Sequence, residues 1–155
     1  MRVANFLLVA ATMIAVATLT APSIAEAGDS VEFLNSGKVL PTDLPFSEAV
    51  RVGDTLYLSG QLGVVPGSLE LVEGGIEQEA QQTMENIKTV LETHGYSLQD
   101  IVKCTVMLAD TSEWGTFNEV YKTFFTDHFP SRSAFGTSGL AIGARVEVEC
   151  IAAAR

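Results

Sequence analysis

Arg132 stands apart from the other cations of this chain because of its neighbours. It sits in Phe129-Pro130-Ser131-Arg132-Ser133-Ala134, where a proline fixes the backbone just ahead of it and small residues follow. A guanidinium is a planar fork that matches a carboxylate with two parallel hydrogen bonds. The segment therefore reads as a clamp for a small carboxylate, with a surface arginine or local ion pair as the plainer reading. Farther on, Glu147 and Glu149 alternate with Val146 and Val148. On a solvated strand face they need no function. In a partly dry cleft, one of them has a raised pKa and can manage a proton on water. Ser59, between Leu58 and Gly60, offers a hydroxyl to donate to a ligand, or else a strand-end cap. Asn118 falls mid-helix, where Asn is not favoured, and is either solvated or turned toward a ligand. There is no G-x-S-x-G serine elbow. Cys104, Cys150, His94 and His128 match no zinc spacing, so no metal site is expected.

These side chains need elements to carry them. Val31–Leu34 and Lys38–Leu40 read as a broken first strand. Ala49–Val52 and Thr55–Ser59 form a hairpin around Gly53-Asp54. Ala80, Met84, Ile87 and Leu91 make one apolar stripe on a helix from Glu77 to His94, with Gly95 in the left-handed position that stops it. Ile101–Leu108 is a strand. Asp110-Thr111-Ser112-Glu113 resembles a capping box that opens a second helix, with Trp114, Phe117, Tyr121, Phe124 and His128 as its stripe and Pro130 at its end. Arg145–Ala152 is the last strand. Strands followed by helices predict an α+β layer, with two helices on one face of a mixed sheet. The other face is left for a partner copy or for polar residues.

The chain has 155 residues and a net charge of −10, with Lys and Arg scattered singly. Such a chain repels phosphate backbones and anionic membrane surfaces, although one buried arginine still suits a small anion. Residues 1–27 read as a signal peptide: Arg2 is the positive end, Phe6–Leu19 the apolar run, and Ala25-Glu26-Ala27 the cleavage signal. An uncleaved membrane anchor is the alternative. Cleavage of 27 from 155 residues leaves a single domain, 28–155, of 128 residues, in an exported, periplasmic or secreted protein. Cys104 and Cys150 fall on apolar strand positions and are expected to be buried free thiols. The oxidising compartment keeps a disulfide open as the other reading.

The segments "LYLSGQLGVVP", "NIKTVLETHGYSLQDIVKCTVML", "FNEVYKTFF" and "FPSRSAFGTSGLAIGARVEVECIA" resemble, in order from about Phe46 to the end, the Rid (YjgF-like) reactive intermediate deaminases. The resemblance implies a chorismate-mutase-like α+β fold, a homotrimer with its sheets turned inward, and ligand pockets between subunits. It implies cofactor-free hydrolysis of small 2-imino acids such as 2-iminobutanoate and 2-iminopropanoate to 2-oxo acids and ammonia. Carried over, Arg132 binds the carboxylate and Glu147 orients the attacking water. Ser59, Gly60 and Asn118 line the cleft. Two positions depart: Phe46 stands where active members have a tyrosine, and Ala134 where many have a cysteine. A non-catalytic binding protein for small carboxylates is the rival expectation. A nuclease role fits poorly with the charge.

Overall fold

The Gly53-Asp54 turn sets the first piece of architecture. The computed structural model describes residues 30–154, so the segment expected to be a signal peptide lies outside the described residues. Gly53 adopts φ 55°, a left-handed conformation that suits a tight hairpin, and Val52 pairs with Thr55 across it. The flanking strands are β2 (Ala49–Val52) and β3 (Thr55–Leu58), and β1 (Val31–Leu34) pairs antiparallel with β2. Lys38–Leu40, expected as a strand, is a bent loop. Val39 and Leu40 are still buried, and the Val39 carbonyl accepts from Gly67 N–H; their apolar character reflects packing rather than pairing.

The first helix, α1 (Ile76–Thr93), buries the predicted stripe of Ala80, Met84, Ile87 and Leu91. Gly95 takes φ 87° just beyond it. β5 (Ile101–Leu108) leads to α2 (Trp114–Tyr121), which has a single helical turn on each side. Asp110 accepts from Ser112 N–H at 2.8 Å, but Glu113 turns away to pair with Arg145, so the capping box is only half made. The helix is shorter than its stripe. Phe125 is extended, and the chain onward is loop, with Phe125 and Phe129 meeting edge to face. After it comes β6 (Ser131–Gly136), parallel to β5. This strand was not expected, because Ser-Arg-Ser-Ala-Phe-Gly carries no apolar alternation. β7 (Val146–Ala153) closes the chain.

The sheet order is β1-β2-β3-β7-β5-β6, with a short β4 (Gln61–Leu62) also on β7. Both helices cover one face. Their buried stripes pack on Leu56, Val106, Leu108, Val146 and Val148. Residues paired across strands share a face, so Phe33, Tyr57 and Phe135 belong to the opposite face, where all three are exposed. The architecture is the predicted α+β layer, with one sheet face left uncovered by the described residues. The cysteines differ from expectation. Cys104 and Cys150 are directly opposite in the β5–β7 register, with Cα atoms 4.1 Å apart and sulfurs joined in a disulfide. Both are buried as predicted. What the sequence did not reveal is the antiparallel register that sets them face to face.

Candidate functional site

Arg132 lies on β6 opposite Cys104 of β5. Cys104 faces the helices, so Arg132 leaves the sheet on the helical side. Its guanidinium rests 4.8 Å from the ring centre of Tyr121 and 5.9 Å from that of Phe117, both on α2. Aromatic faces attract a guanidinium while leaving its edge donors free. Among the described residues no carboxylate pairs with Arg132. Arg132, Asn118, Tyr121, Lys122 and Phe129 line a cleft of about 330 Å³. Two polar atoms in this lining, Asn118 Oδ1 and the Tyr121 hydroxyl, are buried without a partner among the described residues. Burial pushes the Tyr121 hydroxyl up to about 12, with Arg132 pulling the other way, so it remains a proton donor at neutral pH. Sequence reasoning counted Tyr121 as core. Its hydroxyl on an apolar stripe was the available signal. Ala134 follows Arg132 on the same face and packs partly on the core.

The second cluster is built by a break in a strand. From Tyr57, opposite Ile151, to Gln61, opposite Val148, the β3–β4 chain advances one residue more than β7. The extra residue falls at Ser59-Gly60 and acts as a β-bulge, which switches the face on which the following side chains lie. Gln61 is thereby turned into the core. Glu147, paired with Leu62, sits against the bulge. A Cβ at Gly60 would lie 1.9 Å from Glu147 Oε1, so glycine is what makes room for this carboxylate. Among the described residues no hydrogen bond engages the Glu147 carboxylate. Burial first, and Glu149 second, raise its pKa above the ordinary carboxylate value. Phe46, Ser59, Gly60 and Glu147 line one small cavity. For Ser59 the geometry follows the plainer of its two readings, a hydroxyl tied to local backbone at the strand end. Its Oγ donates to the Ser47 carbonyl at 2.7 Å, which uses its single hydrogen, so it presents only lone pairs to a ligand.

The predicted residues thus form two groups. Arg132 and Asn118 make one, with Ala134 beside them; Phe46, Ser59, Gly60 and Glu147 make the other. Glu147 pairs with Met107, three residues along β5 from the partner of Arg132. Two strand spacings of about 4.8 Å and three rises of about 3.3 Å put their Cα atoms roughly 14 Å apart. An odd offset along β5 also puts them on opposite faces. One chain cannot bring both groups onto a single small molecule. Among the described residues no cluster of three or more His, Cys, Asp or Glu side chains is placed to hold a metal.

Comparison with known proteins bears on this arrangement. Residues 38–154 match the family described as Endoribonuclease L-PSP. The 2-iminobutanoate/2-iminopropanoate deaminase of Mus musculus is 45% identical over 108 residues, which are 70% of this chain and 80% of the mouse protein. That of Homo sapiens is 43% identical over 108 residues, 70% of this chain and 79% of the human protein. Among solved structures, RidA from Psychrobacter superposes with a TM-score of 0.75 at 38% identity, covering 79% of this chain and 99% of that one. TdcF of E. coli with bound serine gives 0.74 at 30% identity, covering 80% and 99%. With this fold and these matches along most of its length, the chain belongs to the Rid family, the YjgF-like proteins of the L-PSP group.

Proposed function

We propose that this protein is a hydrolytic deaminase of small 2-imino acids, such as 2-iminobutanoate and 2-iminopropanoate, acting as a homotrimer in which each site joins the Arg132 group of one copy to the Glu147 group of the next. The observation that carries this reading is that a guanidinium and a partly desolvated carboxylate, each unpaired among the described residues, lie on opposite sheet faces. The uncovered face with Phe33, Tyr57 and Phe135 supplies apolar surface for the assembly. The signal-like opening and the buried disulfide favour an exported protein in an oxidising compartment.

In the proposed reaction Arg132 holds the substrate carboxylate through its fork. Glu147 accepts a proton from one water as the oxygen attacks C2 of the imine. That proton passes to nitrogen to give the carbinolamine; Glu147 then takes the carbinolamine hydroxyl proton and hands it to nitrogen, so that the C=O forms as the C–N bond breaks, and the products are a 2-oxo acid and ammonia. No cofactor enters this balance. The Ser59 lone pairs suit a substrate N–H or the attacking water. A net charge of −10 disfavours the RNA chemistry in the family's descriptive name.

The test is complementation. Arg132→Ala and Glu147→Gln proteins, each strongly impaired, are unfolded, mixed in equal amounts and refolded. In a cyclic trimer, three quarters of the molecules are mixed and each has one intact site in three, so about a quarter of wild-type activity should return. No recovery despite mixed trimers would rule out the shared site. A second reading, binding without turnover, draws on Phe46, which brings no hydroxyl to the Glu147 cavity. Wild-type protein that binds 2-oxobutanoate through Arg132 but hydrolyses no imine would establish it.

A further inference from the structure

We propose that the apolar cavity behind Glu147 is the subsite for the substrate side chain, that it selects 2-imino acids with branched or longer aliphatic side chains over the alanine-derived one, and that Ile142 is its specificity-determining residue. This rests on the imine-hydrolysis reading and adds a preference within it. The cavity holds about 270 Å³. Leu44, Phe46, Leu62, Leu69 and Ile142 contribute to its wall, and Glu147 is its one ionisable lining residue. Phe46, Gly60 and Glu147 also line the small cavity with Ser59, so the two spaces share the wall that holds the proton-handling group. At roughly 30 Å³ per water-sized group, it has room for about nine such groups. A methyl side chain leaves most of it empty, and an isobutyl or thioether chain fills much more.

Ile142 is the second and independent observation. It sits at φ 51°, ψ 17°, the one non-glycine residue with positive φ among those described. A β-branched residue is a genuine outlier there. The left-handed conformation crowds its Cβ, a cost glycine does not bear, and Gly143 next to it adopts φ 79° without such a cost. Burial does not account for the choice, because Ile142 is 51% exposed. Strain held at one residue points to a role for its side chain, and this side chain lies on the cavity wall. Leu69 and Phe46, nearly half exposed on the same wall, leave an apolar rim that water covers poorly and a substrate side chain would cover well.

The experiment uses the purified oligomer and two series. Turnover is read as kcat/KM on imines that an amino-acid oxidase generates from alanine, 2-aminobutanoate, methionine and leucine. Affinity is read calorimetrically for the stable products 2-oxopropanoate and 4-methyl-2-oxopentanoate. Each methylene buried should contribute roughly fourfold, so the leucine-derived members should exceed the alanine-derived ones on the order of fiftyfold in both series. Ile142→Gly should cut that ratio at least fivefold and raise the melting temperature, since strain is relieved; a merely structural Ile142 would leave the ratio alone. Leu69→Asn, on the same wall, should cut the ratio without raising the melting temperature. Turnover with a flat ratio overturns the subsite and leaves imine hydrolysis standing; a side chain from a second copy filling the cavity would give that result. A steep affinity ratio without turnover supports the subsite and removes the hydrolysis reading. Neither binding nor turnover sinks both.

Discussion

The two halves of the proposed site are held in place by different means. Arg132 is a long side chain laid over two aromatic rings. Among the described residues no hydrogen bond fixes its fork, so it can meet a carboxylate that arrives from outside. Glu147 is placed by main chain: a one-residue bulge, a glycine with no Cβ to block it, and a serine tied to the Ser47 carbonyl. An anion clamp tolerates some freedom because the ligand completes its geometry. A residue that orients water does not, because small displacements of a reacting group are expensive. The contrast predicts that the Arg132 half fails when its chemistry changes, whereas the Glu147 half fails when its backbone changes.

The largest expected effect comes from severing the bond between the strands that carry the two groups within each copy. The Cys104–Cys150 bond joins β5, which carries β6 and Arg132 on one side, to β7, which carries Glu147. The cysteines are separated by 46 positions, and loop-closure entropy for such a ring corresponds to about 4 kcal/mol, with measured values commonly about 2–4. Cys104→Ala/Cys150→Ala protein should lose stability on that scale in urea titration. Thiol titration of denatured, unreduced wild-type protein should read near zero. Two free thiols would return the pair to the buried-thiol reading.

Next is Arg132→Ala. Removing a charged, bidentate partner of the substrate carboxylate should lower kcat/KM by roughly 3 kcal/mol of transition-state stabilisation, or about 150-fold. The folded protein loses only the contacts of the guanidinium with two aromatic rings, each worth about 0.5–1 kcal/mol at an exposed site. Arg132→Lys keeps the charge without the fork and should recover little activity. Full activity in a trimeric Arg132→Ala protein would remove the clamp.

How far the sequence reached follows the same division. Hairpin, helices and the β5 and β7 strands were legible because period and turn chemistry are local. Arg132 and Glu147 were legible as residue types, in Arg132's case because a proline and small residues surround it. Three features were not. β6 lacks apolar alternation because its helix-facing positions are Arg132, Ala134 and Gly136 rather than a hydrophobic row. The disulfide depends on a register that no local pattern encodes. The bulge at Ser59-Gly60 leaves only a Ser-Gly pair in the sequence, and without it nothing decides between Ser59 as a ligand donor and Ser59 as a strand-end cap.

Gly60→Ala tests the backbone-built half directly. The added methyl would collide with the end of a flexible side chain, so the Glu147 carboxylate should swing aside while the fold survives. A shift of about 1 Å in a catalytic group costs on the order of 10–100-fold. We expect kcat to fall within that range, with affinity for 2-oxobutanoate and the melting temperature nearly unchanged. Equal losses in binding and turnover would show that Gly60 serves the pocket as a whole rather than the position of Glu147.

The smallest effect has a sign that separates function from stability. Glu147 has a folded-state pKa above the ordinary carboxylate value, because burial and Glu149 disfavour its charged form. Below the unfolded pKa both states are protonated and the group costs nothing. As pH rises through the unfolded pKa toward the raised folded one, the unfolded chain releases its proton first, and stability falls. At neutral pH the charged carboxylate is therefore a net burden on the fold, moderated by its open side to solvent. Glu147→Gln should be slightly more stable than wild type at pH 7, and the gap should close near pH 3. Turnover moves oppositely. The variant lacks the proton acceptor, so kcat should drop. The acid limb of the wild-type kcat/KM profile, placed above the usual carboxylate range by the raised pKa, should vanish from the residual activity. A Gln variant that is less stable at pH 7 would mean that the carboxylate is held by favourable contacts in the assembled protein, and the picture of a strained, available base would have to be given up.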